Sequence, residues 1–105
     1  MDKNDAVKIA GRYAEIIDQQ YDFLKIILFG SYAKGNYHED SDIDIAIVFK
    51  DFSNLIDMQV ELMRLRRKID SRIEPHPFRE SDFDISNPIV YEILKYGKEI
   101  RNHVA

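Results

Sequence analysis

The sequence contains no cysteine. Disulfides and thiolate metal sites are therefore excluded, and we expect a reducing compartment, the cytoplasm, as the place where the chain works. No apolar stretch approaches the length needed to span a bilayer, and the first residues are charged instead of signal-like. These absences predict that the chain has no membrane association.

An excess of basic residues is also missing. The chain carries 19 acidic and 15 basic residues, for a formal net charge of -4, and it has no basic tail. A general nucleic-acid binder usually has a basic face, because neutralised phosphates supply most of its affinity. We therefore expect no strong binding of nucleic acid.

What the sequence does contain is an alternation of helix-like and strand-like segments within 105 residues. This length suits one domain over residues 1–105 with one modest core. Periodicity predicts helices over residues 6–21, 54–70 and 87–97 and strands over residues 24–29, 42–49 and 73–78, with a short helical turn and polar loop over residues 31–41. We expect an α+β fold, with a mixed sheet covered largely on one side by about four helices.

Strand positions follow from the residues within each strand. Leu24 to Phe29 is nearly all apolar, which favours an interior strand. Pro75 and Pro77 bar the strand over residues 73–78 from pairing on both sides, so we place it at an edge. The loop over residues 31–41 is short for a crossover, which is why the sheet should be mixed.

Asp42 and Asp44 are the first candidates for chemistry. Residues two apart on a strand point to the same face, so these carboxylates lie side by side at the start of a strand. Two like charges at that distance repel unless a cation lies between them. Hard oxygen ligands favour magnesium or manganese, and magnesium usually completes its coordination with water and substrate phosphates.

Two further features complete this candidate site. Gly30 and Ser31 end a buried strand and begin a short helix, so backbone N–H groups and the Ser31 hydroxyl can bind phosphate oxygens, with Lys34 adding positive charge one turn later. Glu74 lies on the strand predicted over residues 73–78, on the same face as His76. If that strand neighbours the strand over residues 42–49, Glu74 approaches Asp42 and Asp44. It can serve as a third metal ligand or as the base for an attacking hydroxyl.

The order and spacing of these residues resemble a known signature. Gly30-Ser31, ten intervening residues and Asp42-Ile43-Asp44 resemble the motif of the polymerase-beta-like nucleotidyltransferase superfamily. The chain is similar to its smallest members, the minimal nucleotidyltransferases, including in the segment Arg72-Ile73-Glu74-Pro75-His76-Pro77-Phe78. The resemblance runs from about Leu24 to Gly97.

The resemblance implies an activity and a set of roles. Gly30 and Ser31 would bind the triphosphate of ATP or another nucleoside triphosphate, and Asp42 and Asp44 would bind two magnesium ions. Glu74 aligns with the third carboxylate of the family, which orients or deprotonates the acceptor hydroxyl, although many members have Asp there. Minimal members commonly act as antitoxins paired with a HEPN-domain toxin, and some transfer AMP from ATP to a tyrosine of that toxin. The acceptor would be held by such a partner or by a second copy of the chain.

Two other functions remain open from the residues alone. One alternative is a non-catalytic antitoxin, a binding module that neutralises a partner by covering it. The other alternative is a small-molecule nucleotidyltransferase of the antibiotic-modifying kind, although nothing in so short a chain resembles a pocket for an aminoglycoside. The intact Gly-Ser pair and the three carboxylates favour the enzyme.

Overall fold

The computed structural model describes residues 1–104 of the chain. The elements follow in the order α1 (Lys3–Asp18), β1 (Lys25–Phe29), α2 (Ser31–Lys34), β2 (Ile43–Phe49), α3 (Leu55–Arg66), β3 (Ile73–Arg79), α4 (Pro88–Tyr96) and β4 (Lys98–Asn102), with one 3-10 turn at Glu80–Asp82. The helices begin where the sequence offers caps: Asp2 caps α1, Asn54 caps α3 and Asn87 caps α4, each through its side chain. None of the helices within residues 1–104 is long and apolar enough to cross a membrane.

The four strands form one sheet in the order β3-β2-β1-β4. Strand β1 is antiparallel to both β2 and β4, whereas β2 and β3 are parallel. The sheet is therefore mixed, β1 is interior, and β3 lies at an edge, as the sequence predicted. The α+β fold class is confirmed.

The two faces of the sheet are covered unequally. Helices α1 and α3 pack on one face and share with it the larger apolar cluster, which includes Tyr13, Ile17, Ile26, Leu28, Ile43, Ile45, Ile47, Leu62, Leu65 and Ile73. The opposite face carries a smaller cluster in which Ile93 of α4 packs with Ile27, Phe29 and Ala46. Beyond α4 this second face is less covered, so polar side chains can project from the sheet there.

Three predictions about the elements need correction. Strand β4 was not predicted, since its residues do not alternate and it forms by backbone pairing with β1. Helix α3 ends at Arg66 instead of continuing to residue 70, because the chain turns there to enter β3. Helix α1 spans Lys3–Asp18 instead of residues 6–21, because the side chain of Asp2 caps its start.

Candidate functional site

Asp44 occupies a junction between three strands. Its Cα pairs with Phe29, the last residue of β1, and with Glu74, the second residue of β3. Neighbouring strands lie about 4.8 Å apart, so the backbone brings the end of β1 and the carboxylate-bearing starts of β2 and β3 to one place. The parallel pairing of β2 and β3 therefore meets the condition under which Glu74 approaches the carboxylates of the preceding strand.

Pleating sends these side chains to the less covered face of the sheet. Buried Ile43 and Ile45 point to the α1 and α3 side, so Asp44 between them points to the other side, together with its neighbour Glu74. Asp44 and Glu74 are both partly exposed. Asp42 lies just before β2, two residues from Asp44, and is exposed.

Gly30 brings the chain against Asp44 as it leaves β1. Its φ of 73° lies in the region that favours glycine, and a Cβ built on it would overlap Oδ2 of Asp44 and lie 3.1 Å from Cγ. Only glycine combines this backbone conformation with this contact. The turn that the sequence predicted for phosphate thus borders one of the predicted carboxylates directly.

Helix α2 starts at Ser31 without a side-chain cap. The first backbone N–H groups of a helix have no partner within it, so this start can donate to oxygens of a ligand. The Ser31 side chain is partly exposed at the same point. Gly35, with a φ of 85°, ends the helix, and its N–H donates to the Ser31 carbonyl.

Lys34 lies at the end of α2 but is engaged by α4. Its Nζ is 2.7 Å from Oε1 of Glu92 and 5.2 Å from the ring centroid of Tyr96. The hydrogen bond to Glu92, reinforced by the attraction of the two charges, raises the pKa of the Lys34 ammonium. The structure therefore places this predicted ligand beside the phosphate turn in an ion pair that the sequence did not reveal.

His76 adds a contact that sequence reasoning missed. Its Nε2 lies 3.1 Å from Oδ1 of Asp44, and its ring meets the edge of Phe29 at a centroid distance of 4.9 Å. The shared face of Glu74 and His76 was predicted from alternation, but the contact with Asp44 depends on the parallel register of β2 and β3. A histidine two residues after a predicted carboxylate on a strand is the only signal that the sequence offered.

The donor set suits a hard divalent cation. Asp42, Asp44 and Glu74 offer carboxylate oxygens from two adjacent strands, the ligand type that magnesium and manganese prefer. Within residues 1–104 no group of three or more His, Asp or Glu side chains is arranged as a ready metal site. The three carboxylates nevertheless have the oxygen ligands that such an ion prefers, and His76 contacts one oxygen of Asp44.

Comparison with protein families identifies the region that contains this site. The family described as "Polymerase beta, Nucleotidyltransferase" matches residues 12–103. That range covers most of the chain, including the Gly30-Ser31 turn and all three carboxylates.

Two curated proteins are similar in sequence. "Putative protein adenylyltransferase MJ0141" of Methanocaldococcus jannaschii is 34% identical over 79 residues, which are 72% of this chain and 77% of that protein. "Protein adenylyltransferase MntA" of Shewanella oneidensis is 31% identical over 75 residues, which are 71% of this chain and 51% of that protein. The chain thus matches about half the length of MntA.

Two solved structures are similar in fold. A toxin–antitoxin complex with AMP-PNP contains a chain with a TM-score of 0.68 and 26% identity, with 88% of this chain and 73% of that chain covered. The complex of a tri-AMPylated Shewanella oneidensis HEPN toxin with its MNT antitoxin gives a TM-score of 0.64 at 22% identity, with 92% and 72% covered. At that identity the second likeness shows the fold alone.

Proposed function

The chain belongs to the polymerase beta nucleotidyltransferase family, and from this premise we propose that it is an antitoxin that transfers AMP from ATP to a hydroxyl of a HEPN toxin. The acceptor in this proposal is a tyrosine of that partner. Support comes from relatives named protein adenylyltransferase and from similar structures described as toxin–antitoxin complexes, one with AMP-PNP and one with an AMPylated toxin.

One observation carries the proposal. Asp44 lies between the Gly30 turn and Glu74, so that the turn proposed for the triphosphate adjoins two carboxylates. Transfer of a nucleotide requires a place for the triphosphate next to a place for the attacking hydroxyl. In the proposal the Gly30 turn takes the triphosphate, and Glu74 meets the hydroxyl from the other side of Asp44.

The nucleotide would be held mainly by backbone. In the proposal Gly30 and Ser31 bind the triphosphate through the N–H groups at the start of α2 and the Ser31 hydroxyl. Lys34 supplies positive charge from the end of the same short helix. Its ion pair with Glu92 sets the position from which it acts.

Asp42, Asp44 and Glu74 would hold the divalent ions, two magnesium ions or manganese in their place. When bound, such ions neutralise phosphate charge and align the reacting groups. Carboxylates that share one face of the sheet fit this role because a cation relieves their mutual repulsion. The same residues have no evident use in the apolar core on the other face.

The reaction joins the acceptor oxygen to the α-phosphorus of ATP. The bond between that phosphorus and the bridging oxygen to the β-phosphate breaks, and pyrophosphate leaves with the electron pair. The carboxylate of Glu74 orients the hydroxyl and, as the base, takes up its proton. The chain contributes positioning and charge, and no covalent intermediate with a side chain is needed.

A second candidate function is the non-catalytic binding module. An apolar groove of about 430 Å³ lies between α3, β3 and the start of α4, and its exposed residues include Ile56 at 73%, Val60 at 59% and Ile89 at 50%. Exposed apolar residues gathered in one groove are typical of surfaces that bind partners. Such a surface would let the chain cover a toxin without any transfer.

The test distinguishes transfer of AMP to the partner from simple binding of the partner. If the neighbouring reading frame encodes a small helical HEPN protein, that protein is mixed with the chain, ATP and magnesium, and intact masses are measured. We expect the partner to gain the mass of AMP with the wild type. Asp42→Asn combined with Asp44→Asn should abolish the gain, since neutral amides do not hold the cations, but should leave complex formation intact.

Toxicity in cells completes the test. A partner that forms the complex but gains no mass, and is still neutralised by the double variant, would remove the catalytic function and leave the binding module. A mass gain that vanishes in the double variant, together with loss of protection, supports the enzyme.

A further inference from the structure

The contact between His76 and Asp44 fixes the orientation of a predicted metal ligand. A carboxylate only accepts, so His76 Nε2–H is the donor and Oδ1 of Asp44 the acceptor, at 3.1 Å. The other oxygen, Oδ2, faces Gly30, where even a methyl group would not fit. Each oxygen of Asp44 therefore has a different neighbour.

His76 is itself held in place by the sheet and by an aromatic ring. It lies on β3 with its Cα paired to Ala46 of β2, and its ring meets Phe29 at an interplanar angle of 66°. A partly buried imidazole between a strand and a ring loses little further freedom when it donates to a carboxylate. It is therefore a rigid support for Asp44.

We propose that His76 is a positioning residue: it binds Oδ1 of Asp44 and holds the carboxylate so that Oδ2 is presented at the Gly30 turn. The inference rests on the proposed function, in which Asp44 binds the divalent ion. Hydrogen bonds to ligating side chains fix their orientation, and their loss typically weakens metal binding by about 10- to 100-fold. His76 in this role touches neither nucleotide nor acceptor.

The chain contains a matched control for this arrangement. His103 Nε2 lies 3.2 Å from Oδ1 of Asp18, and its ring lies 4.6 Å from that of Phe23. This second histidine, carboxylate and phenylalanine set joins the end of the chain to α1, which contributes none of the site residues. Loss of a histidine–aspartate contact as such can therefore be compared at two places.

The experiment measures binding of Mn²⁺ with ATP to the full chain by the enhancement of water-proton relaxation over that of Mn²⁺ with ATP alone, because ATP itself already binds the free ion. Four variants are compared with the wild type: His76→Phe, His76→Gln, His103→Phe and Asp44→Asn. We expect His76→Phe to weaken Mn²⁺ binding about 10- to 100-fold. His76→Gln keeps an N–H donor and should restore affinity to within a few-fold of the wild type, and His103→Phe should bind normally.

Several results would overturn the proposal. Wild-type affinity in His76→Phe, with loss in Asp44→Asn, would remove His76 while leaving the proposed function intact. Equal weakening in the glutamine and phenylalanine variants would exclude support by a donated hydrogen bond. A directly bonded nitrogen in the electron spin echo spectrum of bound Mn²⁺ would make His76 a ligand. Absence of Mn²⁺ binding by the wild type would overturn both proposals.

Discussion

Gly30 shows how one residue can couple backbone geometry to chemistry. Gly30 and Gly35 flank α2 and both have positive φ, at 73° and 85°. A Cβ at Gly30 would overlap Asp44, whereas a Cβ at Gly35 would meet nothing within 4 Å. A comparison of the two glycines therefore separates the effect of a positive φ from the effect of contact with Asp44.

We predict that Gly35→Ala lowers the free energy of unfolding by about 1–2 kcal/mol, the cost of a left-handed conformation for an L-residue. Gly30→Ala should lower it by more, because its φ of 73° and ψ of -151° lie in a region nearly restricted to glycine and its Cβ would overlap Asp44. Only Gly30→Ala should also weaken binding of ATP with magnesium, by roughly tenfold or more, because Asp44 must move. Urea unfolding and calorimetry measure the two effects. Equal nucleotide affinities in the two variants would contradict the role of the Gly30 contact.

The sequence predicted some residue contacts and missed others for a physical reason. Asp42, Asp44 and the Gly30-Ser31 turn are close in sequence, so alternation and turn chemistry were enough to group them. The pairs Lys34 with Glu92 and His76 with Asp44 join residues from separate elements. Such contacts depend on helix packing and strand register, which no local pattern specifies.

Among the elements, β3 depends on a polar turn that starts it. The Asp70 carboxylate accepts from the Arg72 backbone N–H at 2.9 Å and from the Arg72 guanidinium at 2.7 Å. These hydrogen bonds lower the pKa of Asp70 below its ordinary value of 3.8, and the bond from the guanidinium has the larger effect. The turn leads directly into Ile73 and Glu74, so it helps to set the register of the third carboxylate.

We predict that Asp70→Asn lowers the free energy of unfolding at pH 7 by about 0.5–1 kcal/mol, the range of partly exposed ion pairs. Because the folded-state pKa of Asp70 is depressed, its contribution is present above the unfolded pKa and is lost as the pH falls through the folded one. The difference from the wild type should therefore shrink below about pH 4. Urea unfolding between pH 3 and pH 7, with exposed Asp22→Asn as control, measures it, and a constant difference would contradict the assignment.

Strand β4 is the element that the sequence patterns did not predict. Its five residues, Lys98–Asn102, are mostly polar and three of them are exposed, so neither hydrophobic alternation nor composition predicts a strand. The strand exists because the edge of β1 offers backbone partners after α4 turns the chain back. Gly97 permits that close turn, since a Cβ there would lie 2.6 Å from Cγ2 of Ile27.

For the whole molecule, the charge distribution poses a question about its ligand. The chain has a formal net charge of -4, and the proposed site adds three carboxylates beside the place of a triphosphate. Lys34, the predicted basic ligand, shares its charge with Glu92 and so offsets only part of this negative charge. A polyanion would therefore meet repulsion at this face unless divalent ions accompany it.

We predict that ATP stabilises the chain against heat only when magnesium is present. A ligand at about 100 times its Kd adds about 2.7 kcal/mol to the folded state, which for a domain of this size raises Tm by roughly 10 °C or more. Scanning fluorimetry with ATP, in magnesium or in EDTA, measures the shift. The variant Asp42→Asn with Asp44→Asn supplies the sharper comparison, because it removes both the repulsion and the ligands. It should lose the magnesium-dependent shift and should bind ATP in EDTA no more weakly than the wild type does. Equal stabilisation of the wild type by ATP in EDTA and in magnesium would show that the carboxylates do not act through a cation.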